Sequence, residues 1–391
     1  MGENGVGVTR SLGRRGIDVI GVDHQKDAPG LSSRFCKKKL VGANPQTHPE
    51  ECLRQLLAFG EHQDNKAVLI PTTDYYVTFM SRFRNELRHH FHFNIPGNDV
   101  LDMLIDKDSQ YTTADRLGIP IPKTIAPLSI NHLLQEENSI PYPVLIKGAC
   151  GDEWAGSFPN KGFKANTLHE LKKFYELAES KGIRVVVQEI VAGPNTNHIE
   201  ISACYSKRKE LLALFCAEKT RQFPVEFGVG TCLILQNNRS LIEMALKFFE
   251  GIGYSGVGNI EFKKDDRDST YKLIELNPRI WQQNAQAACA GVDFAYINYL
   301  DCIGEQTSPS LHFTENICYL DIFHDIRSFL GNRQCKGRSF FQWIKLALRA
   351  DCYAYFTRDD PGPALKYSIY LFKKGVRKVA HKLGSKDEIS D

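Results

Sequence analysis

No Cys-x-x-Cys pair occurs among the eleven cysteines of this chain. That absence, with an odd number of cysteines, fits a reducing cytoplasm with free thiols. Cys204 and Cys216 sit in apolar strand-like runs, where a thiol packs as a small hydrophobe. There is no N-terminal apolar segment of the signal-peptide kind, and no uninterrupted run approaches the length of a membrane span. Excess charge is also missing: 49 Lys and Arg against 46 Asp and Glu leave a net +3, so no global field argues for nucleic acid. What is present is ordinary: 391 residues, 42% hydrophobic and 24% charged, enough for two or three soluble domains with real cores.

The stretch richest in chemistry is Tyr271 to Gln283, Y-K-L-I-E-L-N-P-R-I-W-Q-Q, with G-V-G-N-I-E-F ten residues upstream. Leu273, Ile274 and Leu276 favour a strand. Side chains alternate along a strand, so Glu275 and Asn277 point the same way. Glu261 ends the upstream run, and the charged residues 263–269 read as a turn that folds both runs into a hairpin. The result is two carboxylates and an amide oxygen on one face, a donor set that suits Mg²⁺. Arg279 follows as a clamp for phosphate or carboxylate. An amphipathic surface hairpin is the alternative, but the flanks are too apolar for a solvated face.

The opening residues, M-G-E-N-G-V-G-V-T-R-S-L-G-R-R-G-I-D-V-I-G-V-D, read as a glycine loop over Gly2, Gly5 and Gly7, a helix over 8–15 and a strand over 17–22. This is half of a βαβ unit whose first strand is missing. The loop invites an NAD(P) reading with Asp23 on the ribose, although no glycine stands three residues after Gly7. A substrate-pocket loop or a tight turn is the alternative. The apolar run 67–70 ends in Thr72, Thr73 and Asp74, which are candidates for substrate contact or for a helix cap. His89, His90 and His92 lack metal-ligand spacing and read as a solvated loop. Near residue 100 a domain boundary is expected, and Pro120 and Pro122 force an extended link. Lys147 closes a strand beside a glycine-containing loop, a placement suited to phosphate oxygens.

Taken together these pieces resemble the ATP-grasp superfamily, most closely its carboxylate–amine ligase branch of D-aspartate ligase-like and related enzymes. The similarity runs from about Gly2 to Leu300. It rests on I-D-K (105–107), V-L-I-K (144–147), Q-E-I-V-A-G-P (188–194), N-I-E-F (259–262) and L-I-E-L-N-P-R (273–279), in that order. The resemblance implies an α/β (α+β) ATP-grasp fold: a Rossmann-like pre-grasp domain over 1–100, a lid region over 101–192, a metal and nucleotide domain over 193–305, and a helical extension over 306–391. It implies that Lys107 and Lys147 contact ATP phosphates. Gln188, Glu189, Ile190 and Val191 match the adenine hinge, and Asn195 stands where a ribose-binding carboxylate is common, with Asn197 or His198 as substitutes. Glu261, Glu275 and Asn277 match ligands of Mg²⁺ (or Mn²⁺). Lys147, Arg221 and Arg279 fall at catalytic positions, the two arginines near the γ-phosphate or acyl phosphate. The lid sequence G-D-E-W-A-G-S-F departs from the usual Ser/Gly-rich run, and Asp152 and Glu153 there must point outward or bind metal. The implied reaction is ATP-dependent amide formation from small-molecule carboxylate and amine substrates, with a catalytically weak nucleotide-binding protein or an NAD(P)-dependent oxidoreductase as alternatives.

Beyond about Leu300 the pattern ends. Residues 365–383 read as one helix with an apolar stripe of Leu365, Ile369, Phe372, Val376, Val379 and Leu383, and six Lys or Arg without an acid between 365 and 384. Such a helix docks on its own body, forms a dimer interface, or lies on an anionic membrane surface.

Overall fold

A computed structural model describes residues 1–139, 141–331 and 340–384, with 137 and 375–384 as backbone only. The N-terminal third contains α1 (Glu3–Arg14), β1 (Val19–Asp23), β2 (Cys36–Val41), α2 (Pro49–Glu61), β3 (Ala67–Val68), α3 (Asp74–Arg82), α4 (Arg84–His90) and β4 (Phe91–His92). β1 pairs with β2 and β3 with β4, both in parallel. Gly5 and Gly7 lie inside α1 rather than in a loop before it. A Cβ at Gly7 would fall 2.2 Å from Asn284 Oδ1, so this glycine serves close helix packing. The dinucleotide loop expected at Gly2, Gly5 and Gly7, with Asp23 as its ribose acceptor, is therefore corrected: the peptide groups it needs are helical.

The middle of the chain comprises α5 (Asn98–Ile105), α6 (Lys107–Arg116), β5 (Thr124–Ile125), α7 (Ile130–Gln135), β6 (Val144–Gly148), α8 (Gly151–Ser157), β7 (Phe163–Ala165), α9 (Leu168–Glu179) and β8 (Val185–Glu189). The four strands form one antiparallel sheet in the order β5-β8-β6-β7. Its back is covered by α9 and α8 through Trp154, Leu171 and Tyr175. The stretch expected as an unusual lid loop is helix α8.

The remaining elements are β9 (His198–Tyr205), β10 (Leu211–Phe223), β11 (Val229–Leu235), α10 (Arg239–Gly251), β12 (Gly256–Lys264), β13 (Tyr271–Asn277), α11 (Asn284–Cys289), α12 (Phe294–Ile303), β14 (Cys318–Leu320), α13 (Ile322–Gly331), α14 (Phe340–Arg349), β15 (Cys352–Tyr353) and α15 (Gly362–Gly384). They build a seven-stranded sheet in the order β13-β12-β9-β10-β11-β14-β15. Alternation sorts its side chains into two cores. Ile201, Ala203 and Cys216 pack with α10 and α6 on one face, while Cys204, Phe215 and Ala217 pack with α1, α11, α12 and α15 on the other. Gly258 is needed on the first face, where a Cβ would lie 2.7 Å from Phe249 and from the Tyr254 hydroxyl. The segment beyond 305 is not merely helical, because it contributes β14 and β15 to the sheet edge.

Helix α15 docks through Ala364 and Tyr367, with Leu371 partly buried against the same core. Leu365, Ile369 and Phe372 are exposed. The side chains of Val376, Val379 and Leu383 lie outside the described residues. Among the described residues no helix is long and apolar enough to cross a membrane.

Candidate active site

The charged site forms where one end of β9, β12 and β13 faces the four-stranded sheet. Glu261 lies opposite Glu275 across the β12–β13 pair, and Asn259 opposite Asn277. Cross-strand partners share a face, so the expected hairpin with both carboxylates on one side is what forms. A register shift falls between Glu261 and Phe262. Such a bulge lets Leu273 and Leu276, three residues apart, both enter the core while Glu275 stays on the open face. On its other side Glu261 faces Glu200 of β9, giving three carboxylates in a row.

Lysines and histidine balance that row. Lys219 of β10, 1% exposed, donates to Glu261 Oε1 at 2.8 Å and lies 3.6 Å from Glu200. His198 Nδ1 also bonds Glu261 Oε1. Burial works to raise the Glu261 pKa, but Lys219 and His198 hold it well below the usual carboxylate range. Burial pushes Glu200 up to about 7, since its share of Lys219 is smaller and Glu261 repels it. For Glu275, burial is outweighed by Lys161 and Lys107, and its pKa falls.

Across the cleft, Lys147 of β6 donates to Gln188 Oε1 at 2.9 Å and to the Tyr111 hydroxyl at 3.0 Å. Tyr111 in turn donates to Ile274 O at 2.5 Å, so the lysine is tied through α6 to β13. Burial lowers Lys147 to about 8, with Glu275 opposing. Lys107 occupies the first turn of α6, whose N-cap Asp106 accepts from the Ser109 amide at 3.0 Å. Arg279 follows β13. Its guanidinium holds Asp74 of α3 through two bonds, at 2.8 and 3.1 Å, and also reaches Asn277 Oδ1 at 3.3 Å. Asp152 turns toward this region, its pKa raised by burial and then by Asp74. Glu153 is exposed.

Several expected residues take other places. Arg221 is bound bidentately by Asp325 at 2.8 and 2.7 Å, and Thr231 and Trp343 donate to the same carboxylate. The β10–β11 register shifts on either side of Arg221, and its guanidinium meets α13 rather than the carboxylate row. Glu189 is engaged by Lys272, Arg267 and the Lys123 amide, which leaves its side chain no role toward a base. Of the hinge backbone, the Ile190 amide donates to Pro143 O at 3.3 Å, and Val191 O accepts from Lys263 at 2.8 Å. Asn195 ties to Val225 O and Asn197 to Lys264 O, so both amides fasten turns. Asn277 presently offers its nitrogen to Glu275 at 3.3 Å, so serving as an oxygen ligand requires an amide rotation.

Sequence reading missed Tyr111, Lys161, Glu200 and Lys219. Glu200 carried a signal, since it is a charge between two apolar residues of a strand run, Ile199 and Ile201. Lys219 sits in the polar stretch Glu218 to Gln222 that follows the apolar run and carried none. Nothing local marked Tyr111 or Lys161.

The donor set of Glu261 and Glu275, two half-buried facing carboxylates with cations behind them, fits a hard divalent ion shared with phosphate oxygens. Residues 106–306 match the family model described as "Carbamoyl-phosphate synthase L chain, ATP binding domain", just over half of the chain. The chain belongs to that family, and so to the ATP-grasp proteins. It is 24% identical over 245 residues to the D-aspartate ligase of Enterococcus faecium, covering 60% of this chain and 58% of that one. It is 23% identical over 229 residues to the carbamoyl phosphate synthase large chain of Pyrococcus furiosus, covering 56% of this chain and 21% of that one. The chain thus spans less than two thirds of these relatives. In fold it is similar to the biotin carboxylase domain of Hydrogenobacter thermophilus 2-oxoglutarate carboxylase, solved with MgADP, ADP and bicarbonate. The TM-score is 0.65 at 19% identity, over 81% of this chain and 71% of that one. For the ADP complex of purK, N5-carboxyaminoimidazole ribonucleotide synthetase, the TM-score is 0.64 at 14% identity, over 86% and 83%.

Proposed function

We propose that this chain is an ATP-dependent ligase that joins a carboxylate to an amine through an acyl phosphate. The observation that carries the reading is the register of β9, β12 and β13, which lines up Glu200, Glu261 and Glu275 across three adjacent strands. A carboxylate is a poor electrophile, and phosphorylation by ATP converts it into one that an amine attacks, releasing phosphate. Such transfer needs positioning and charge neutralisation more than covalent help. Glu261 and Glu275, with Asn277 after rotation, would hold Mg²⁺, which when bound screens the triphosphate. Lys147 and Lys107 would hold phosphate oxygens. Lys219 keeps Glu261 ionised and so ready to serve as a ligand. Arg279, fixed by Asp74, faces the carboxylate being activated. The four-stranded sheet with α8 acts as the lid that excludes water from the acyl phosphate. The segments 1–100, 101–192, 193–305 and 306–391 serve as pre-grasp, lid, nucleotide and C-terminal parts, and the exposed stripe of α15 as a dimer or membrane contact. The test is ADP release over a panel of amino acids and sugar acids with added amines. No ADP release with any pair, in protein that ATP and Mg²⁺ stabilise thermally, would leave a nucleotide-binding protein without ligase activity.

A further inference from the structure

Helix α15 carries two apolar faces, and the body of the protein covers only one of them. Ala364 and Tyr367 are buried, and Leu371 is partly buried against the same core. Tyr367 fixes this face. Its ring stacks on Tyr355 with centroids 4.2 Å apart, and its hydroxyl meets His324 Nε2 at 3.1 Å. Leu365, Ile369 and Phe372 are instead 64%, 44% and 73% exposed. At about 100° per residue, these three centre about 130° around the helix from the docked face. Docking through Tyr367 therefore turns the other stripe outward. In sequence the same spacing continues with Val376, Val379 and Leu383, along a backbone that stays helical to Gly384.

Charge decides what can cover that stripe. Lys366 and Lys373 stand about a quarter-turn from its centre, and the Lys374 ammonium lies 5.9 Å from the centroid of the Tyr370 ring. Six Lys or Arg and no acid occur between 365 and 384. The acids that adjoin the helix are already engaged: Asp27 by Lys366, Asp359 by Arg14 and Asp360 by Arg10. The spacing of the stripe, alternately four and three residues, is that of a coiled-coil seam, so a second copy of this chain is the rival occupant. The positions flanking that seam are Lys366, Ser368, Lys373, Gly375, Ala380 and Lys382. None is acidic, so a paired copy would meet like charge and form no salt bridge across the seam. A lipid surface with anionic headgroups supplies the missing sign and an apolar layer for the stripe. Among the described residues no helix is long and apolar enough to cross a membrane, so the contact is one that lies on the surface.

We propose that α15 lies along an anionic phospholipid surface, with Leu365, Ile369 and Phe372 in the headgroup–acyl boundary and its lysines at the phosphates. This commits the outward stripe to one partner and does not depend on the ligase reading. The test is flotation of the full-length chain with phosphatidylcholine vesicles, with and without phosphatidylglycerol. Wild type binds the anionic vesicles at least tenfold more tightly, and added salt weakens that binding. Leu365→Ser with Phe372→Ser lowers it at least tenfold, and Lys373→Gln with Lys374→Gln at least threefold. All four side chains are exposed, so both variants unfold at the wild-type temperature and bind AMP-PNP with Mg²⁺ as wild type does. The proposal is overturned if wild type floats with neither vesicle or equally with both, or if the double serine variant floats as wild type does. Sedimentation velocity without lipid separates the rival occupant. The same association state in wild type and the double serine variant supports the proposal. A dimer that the serine variant loses overturns it, since a second copy then covers the stripe.

Discussion

Replacing Lys147 by methionine sets stability against function in a way the geometry lets us weigh. Lys147 is 8% exposed, and burial lowers its pKa from 10.5 to about 8. That displacement, roughly 2.5 pH units at about 1.4 kcal/mol each, means the fold disfavours the charged amine by about 3 kcal/mol at neutral pH. The substitution leaves Gln188 Oε1 without a donor, because the single Tyr111 hydroxyl proton stays on Ile274 O, a loss of about 1 kcal/mol. Tyr111 keeps its bond to Ile274 O, and methionine fills the stem's volume. Lys147→Met is therefore expected to be more stable than wild type by about 2 kcal/mol without nucleotide. The sign with pH follows from linkage. The unfolded lysine holds its proton up to its ordinary pKa, whereas the folded one releases it near 8. Wild-type stability thus rises through that window, and the variant's advantage fades as it does. With ATP and Mg²⁺ the order reverses, because wild type gains a ligand that the variant binds poorly. The assay is thermal unfolding of both proteins at neutral and alkaline pH, with and without nucleotide. A variant less stable than wild type in the absence of nucleotide, or one stabilised equally by ATP, would refute the reasoning.

Three further outcomes are expected. Glu275→Ala lowers ADP formation by ~10²-fold or more, the scale for losing one preorganised electrostatic group, and steady-state kinetics would show it. Asp325→Ala leaves Arg221 buried without its bidentate partner and costs about 3–5 kcal/mol in urea unfolding, while nucleotide affinity of the folded protein stays within about twofold. A clear loss of ATP affinity there would return Arg221 to the phosphates. Glu200 binds its proton more tightly folded than unfolded, so stability falls as pH rises from the unfolded carboxylate pKa of 4.5 to about 7. Glu200→Gln should flatten that slope, as unfolding across this window would reveal.

The local signals in this chain were periodic ones. Glu275 and Asn277 announced a shared face because alternation is a property of one strand, and the charged turn 263–269 announced the hairpin that brings Glu261 opposite Glu275. The 23-residue helix at residues 362–384 was likewise legible from its repeat, but not the face it docks. Ala364 and Tyr367 are buried, whereas the more apolar Leu365 and Phe372 remain outside. Gly5 and Gly7 misled for the complementary reason: a glycine pair looks the same in a phosphate loop and in a helix pressed against Asn284.

By itself, then, the sequence determined the order of these side chains along the chain, Lys107, Lys147, Gln188, Glu261, Glu275 and Arg279, each in or beside an element whose period could be read. Only the tertiary structure decided that Glu200 completes the carboxylate row, that Lys219 neutralises it, and that Arg221 turns to Asp325. The physical reason is that periodicity fixes which way a side chain points from its own backbone. Which backbone lies opposite is set by hydrogen bonding and burial between segments that are distant in sequence.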